Sequence, residues 1–122
     1  MFIKKVENFD GIEADVIISD GHYEMKCYYY CLPLSKEVVV GQNVKEIYAL
    51  LVRDIVRVNN DNILVIKESD YYSYTLQGQV TSIEKPTIGI GEITIILDSS
   101  FPKDITIGEY VKLEVKRLDC FL

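Results

Sequence analysis

Apolar and polar residues alternate along most of this chain with a period of two, the pattern that sets one side of a β-strand against a core. Residues 12–19 place Ala14, Val16 and Ile18 on one side and Glu13, Asp15 and Ile17 on the other. Residues 22–32 alternate Tyr23, Met25, Cys27, Tyr29 and Cys31 with Glu24, Lys26, Tyr28 and Tyr30. The same period returns in 71–80, 92–97 and 110–118, where Val111, Leu113 and Val115 oppose Lys112, Glu114 and Lys116. Asp10-Gly11, Ser19-Asp20-Gly21, Asn59–Asn62 and Lys85-Pro86-Thr87 are turn signals between these runs. About eight or nine short strands at regular spacing predict a mainly β fold, a small β-barrel or two-sheet sandwich.

One stretch reads two ways. As a helix, residues 44–58 bring Val44, Ile47, Tyr48, Leu51, Ile55 and Val58 to one side, with Lys45, Glu46, Arg53, Asp54 and Arg57 opposite. As strands, the β-branched content favours extended structure, and 55–58 with 63–66 would form a hairpin around a four-residue loop. Strand is the preferred expectation, with one short helix over 44–52 as the alternative.

A faint duplication runs through the pattern. Residues 33–48 match 100–115 at an offset of 67, with Lys36 on Lys103, Val38 on Ile105, Val40 on Ile107, Gly41 on Gly108 and Val44 on Val111. Each copy reads as a short apolar run, a glycine turn and a second alternating run, the form of a β-hairpin arm. Met25, Cys27 and Tyr29 match Ile93, Ile95 and Leu97 at an offset of 68. The expectation is a single β domain over 1–122 built from two divergent three-strand units, 11–48 and 78–115.

Composition agrees with a folded chain: 122 residues, 48% hydrophobic and 26% charged, enough for one ordinary core. Met1 to Glu7 reaches an acid before an apolar leader segment can form, and no apolar run is long enough to cross a bilayer as a helix. Three cysteines, Cys27, Cys31 and Cys120, have no framework spacing and suggest reduced thiols and a cytoplasmic setting.

Charge changes the functional picture more than chemistry does. The net charge is −6, and Glu7, Asp10, Glu13, Asp15, Asp20 and Glu24 fall in a segment with no lysine or arginine, leaving 13 acids against 13 bases elsewhere. Such a potential repels phosphate backbones and speeds encounter with a basic partner. The lone histidine, His22, lacks the companions of a zinc site, and Cys27 with Cys31 lacks zinc-knuckle spacing. A nucleophile formed by Cys27 and His22 would want a positive neighbourhood, which this acidic stretch does not offer. Gly89 and Gly91 lack the third glycine and helix of a phosphate cradle. No cofactor or metal is expected.

The expectation is therefore a non-catalytic cytoplasmic protein-binding domain, in its specific form an acidic inhibitor or immunity-type protein masking a basic toxin or enzyme. Its contact surface would carry Glu13, Asp15, Asp20, Glu24, Glu68, Asp70, Tyr71 and Tyr72. Tyrosine clusters at 28–30 and 71–74 keep an oligonucleotide-binding barrel as the alternative. A scaffold or assembly role is a further one.

Overall fold

A computed structural model describes residues 1–30, 38–69 and 71–122; among them are eleven strands and no helix. The strands are β1 (Phe2–Glu7), β2 (Glu13–Ser19), β3 (Glu24–Tyr30), β4 (Glu46–Leu50), β5 (Arg53–Val58) and β6 (Leu64–Lys67). They continue as β7 (Tyr74–Ser82), β8 (Thr87–Ile90), β9 (Ile93–Leu97), β10 (Tyr110–Val115) and β11 (Arg117–Phe121). All belong to one mixed sheet, ordered β1-β2-β3-β11-β4-β9-β8-β7-β10-β5, with β6 added to β7. The mainly β expectation holds. The sheet is not closed, so it is a barrel or sandwich only in a loose sense. The expectations for Cys31, Lys36 and Asp70, and for the start of the 33–48 arm, lie outside the described residues.

Residues 46–50 form a strand where a helix was the alternative. β4 is hydrogen-bonded on both edges, antiparallel to β11 and parallel to β9, which satisfies its backbone groups. Ile47 and Ala49 are fully buried, while Tyr48 and Leu50 point to the opposite side. Leu51, which the helical period placed on the apolar side, is 66% exposed.

The hairpin expected from 55–66 does not form. β5 pairs with β10 and β6 pairs with β7, so two strands stand between them. Their connection crosses the outside of β7, where the buried Gln77 amide donates to Asn60 Oδ1 at 2.7 Å and to the Asn62 carbonyl at 2.8 Å. Burial of this polar side chain is tolerated because both its N–H bonds find acceptors.

About the β11–β4 pair, the order β1-β2-β3-β11 on one side matches β7-β8-β9-β4 on the other. The arms at offset 67 are also tied down alike. Gln42 N–H donates to the Val39 carbonyl, Gly41 N–H to Ile3, and Ile3 N–H returns to Gln42. Glu109 to Thr106, Gly108 to Val80 and Val80 to Glu109 repeat that set. Gly41 and Gly108 have φ of 91° and 94°, the left-handed third residue that this turn requires. The apolar run before each glycine is a turn, not the strand expected of a hairpin arm; only the following run pairs in the sheet.

One core collects Ile3, Val16, Ile18, Met25, Ile47, Leu76, Ile88, Ile95, Leu113 and Leu118 with further apolar residues from the same strands. Among the described residues, no helix is long and apolar enough to cross a membrane.

Candidate functional site: a tyrosine face across β3, β11 and β4

Strand pleat and register set the outer row of side chains. Tyr28 on β3 stands opposite Asp15 on β2 and Asp119 on β11; Asp119 stands opposite Tyr48 on β4. Inward neighbours Cys27, Tyr29, Leu118, Cys120, Ile47 and Ala49 fill the core, so this row must face away from it. One register step along lie Tyr30 and Phe121, which are 53% and 52% exposed.

The aromatic rings form two groups across the strands. Tyr71 lies 6.1 Å from Tyr72, and Tyr72 meets Tyr28 edge-on at 5.9 Å. The Arg117 guanidinium sits 4.4 Å from the centre of the Tyr28 ring, a cation–π contact. Beyond Asp119, Tyr48 meets Phe121 edge-on at 5.2 Å. A groove of about 530 Å³ runs between the ends of β3 and β11, lined by Tyr28, Tyr30, Arg117, Asp119, Phe121 and Leu122 among others. A second depression, of about 370 Å³, lies on the β4 side of Asp119.

The charges on this face pair with one another. Arg117 holds the Asp119 carboxylate with Nε and Nη2. Lys85 Nζ lies 3.2 Å from Glu46, which also accepts from the Tyr48 hydroxyl at 2.8 Å. Tyr28 donates to Glu13 at 2.6 Å, and this bond is the main reason its phenol is pushed up to about 12. Asp15 accepts from Tyr72 and from Asn8 Nδ2 at 2.9 Å, with Lys26 Nζ at 3.6 Å. Burial alone would raise the Asp15 carboxyl; these partners outweigh it and hold it below the ordinary value. Tyr72 moves upward, through burial first and the Asp15 carboxylate second.

The expected surface residues therefore divide. Glu13, Asp15, Tyr71 and Tyr72 come together at one end of the tyrosine face. Asp20 instead bridges two turns, accepting N–H bonds from His22, Tyr23 and Glu92 at 2.8 to 2.9 Å. Burial pushes its carboxyl upward, and those three donors more than reverse the shift. Glu24 pairs with Lys4 at 2.6 Å, and Glu68 accepts from Thr75 at 2.9 Å in the β6–β7 hairpin. Lys5 lies 3.8 Å from Glu7. The base-free segment is thus met by lysines: Lys4 and Lys5 from β1 and Lys26 from β3.

Tyr30, Tyr48, Arg117, Asp119 and Phe121 were not among the expected contact residues. The single strand expected over 110–118 would put Arg117 on the side of Val111, Leu113 and Val115; instead the run breaks after Val115, and in β11 Leu118 and Cys120 are the buried residues. Nothing local announces that β11 inserts between β3 and β4.

Reactive groups are few here. Cys27 and Cys120 are buried, and burial, with Cys120 and Asp119 nearby, pushes the Cys27 thiol well up. A thiol so placed is a poor nucleophile. His22 stays exposed on its turn, away from the buried Cys27 side chain. Among the described residues, no group of three or more His, Cys, Asp or Glu gathers to hold a metal ion. Compared with protein-family models, curated proteins and solved structures, the chain matches none.

Proposed function

We propose that this chain is a non-catalytic protein-binding domain whose contact surface is the tyrosine face on β3, β11 and β4. The carrying observation is a pair of ring clusters, Tyr71-Tyr72-Tyr28 and Tyr48-Phe121, on either side of the Arg117–Asp119 pair, among charges already paired within the face. Tyrosine, phenylalanine and arginine are the residues enriched at interface centres. Covering charge pairs that are already made strands no single ion, which lowers the desolvation cost of docking. The net charge of −6 steers a cationic partner toward the molecule. The specific form is an inhibitor or immunity-type protein masking a basic enzyme or toxin, working with reduced thiols in a cytoplasm. In this form the net negative charge of the whole chain supplies long-range attraction, and the rings supply contact.

The same rings support a second reading, a platform for stacking single-stranded bases. Against it, Arg117, Lys26 and Lys85 are each held by a carboxylate, whereas such platforms direct their cations at phosphates.

The test is affinity capture from an extract of the source cell with immobilised wild type and the double variant Tyr30→Ser, Phe121→Ser. Both side chains are about half exposed, so the fold survives their loss. A basic protein retained by wild type, released by salt and lost from the variant supports docking on this face. Equal retention by the variant refutes it. Retention of nucleic acid alone favours base stacking.

A further inference from the structure

The chain passes once between two interlocked sets of strands. Residues 1–50 carry β1 to β4, and residues 53–122 carry β5 to β11. β4 nevertheless lies between β9 and β11 of the second set, and β11 lies between β3 and β4 of the first. Other bonds cross the same boundary. Lys85 meets Glu46, Glu92 N–H donates to Asp20, and Lys26 N–H donates to the Tyr74 hydroxyl at 2.7 Å.

Among the described residues, the backbone crosses it at the short turn after β4. There Leu51 and Val52 N–H groups donate to the two oxygens of the Asp98 carboxylate, at 2.7 and 3.2 Å. Leu51 and Asp54 have φ of 56° and 57°, the left-handed region that disfavours residues with a side chain. Leu51 is also largely exposed, so core contacts do not hold it there.

We propose that a second copy of this chain is a binding partner through strand exchange. Residues 1–50 of one copy take their place against residues 53–122 of the other, with residues 51–52 straightened as the hinge. Every contact across the boundary re-forms between copies, so the dimer needs no new interface. Straightening relieves the left-handed Leu51. The Asp98 clamp, which requires the tight turn, favours the chain closing on itself.

Unlabelled and nitrogen-labelled chains are mixed in equal amounts in denaturant and refolded together at high concentration. The dimer is isolated by size exclusion with light scattering, and a zero-length carbodiimide then joins Glu46 to Lys85. In an exchanged dimer, about half of the joined peptides combine one labelled and one unlabelled member. Asp98→Ala raises the dimer fraction several-fold over wild type, and Leu51→Gly lowers it several-fold. A dimer yielding only single-label joined peptides overturns the exchange, as does failure of both wild type and Asp98→Ala to dimerise. A dimer fraction that ignores both substitutions overturns the hinge.

Discussion

Tyr48 and Asp119 stand directly opposite each other where β4 and β11 run antiparallel, at the point about which the strand order repeats. Asp119 also faces Tyr28 across a parallel bridge, and Tyr48 faces Ile96 in the same way. The pair that joins the two sets of strands thus occupies the middle of the tyrosine face.

The Arg117–Asp119 pair lies at the water boundary and contributes little to stability. The Arg117 side chain is 45% exposed, and a pair of this kind is worth less than about 1 kcal/mol. Asp119→Asn is expected to shift urea unfolding by no more than that. A loss above about 2 kcal/mol would show that the pair behaves as a buried one.

Gly78 is needed for close approach of β7 and β8. A Cβ there would meet the Gly89 carbonyl oxygen at 2.6 Å and Ile90 Cγ1 at 3.0 Å. The oxygen is backbone in a paired strand and cannot swing aside. Gly78→Ala is expected to cost about 1–3 kcal/mol, read by thermal or urea unfolding. An unchanged midpoint would show that the strands separate freely.

Alternation made β2, β3, β9 and β10 legible, because each sends one parity of side chains into the core. The glycine turns at Gly41 and Gly108 were legible for the same local reason. Long-range pairing was not: nothing in 117–121 specifies β3 as a neighbour, and Gln77 gives no sign that Asn60 and Asn62 will reach over it. The acidic segment was legible as charge but not as surface. Lys26, on the adjacent strand, meets Asp15, and Lys4 meets Glu24, so lysines from either side of the segment fall beside its acids.

Tyr28 supplies a test on the alkaline side. Its phenol titrates at about 12 in the folded state, against about 10 for an unfolded tyrosine. The folded state therefore holds this proton more tightly. The stability so gained is complete below about pH 10 and is lost as pH rises toward about 12. Ultraviolet phenolate titration should show this late component in wild type, and Glu13→Gln should move it down. A titration unchanged by Glu13→Gln would contradict the assigned cause.

On the acid side, Asp10, Asp15 and Asp20 all have lowered carboxyl values. Each binds its proton less readily when folded, so its contribution is present above the unfolded value of about 3.9 and is lost as pH falls through the folded one. Asp20→Asn should flatten the fall in melting temperature over that acid window. An acid limb as steep as that of wild type would remove the Asp20 bridge as a source of stability.

Hydroxyl-radical footprinting of the chain, alone and with its captured protein partner, tests the assigned surface most directly. Tyr30 and Phe121 should be labelled in the free chain and protected in the complex, while exposed Phe9 on the β1–β2 turn keeps its labelling. Unchanged labelling of Tyr30 and Phe121, with protection confined to residues 7–24, would contradict docking on the tyrosine face.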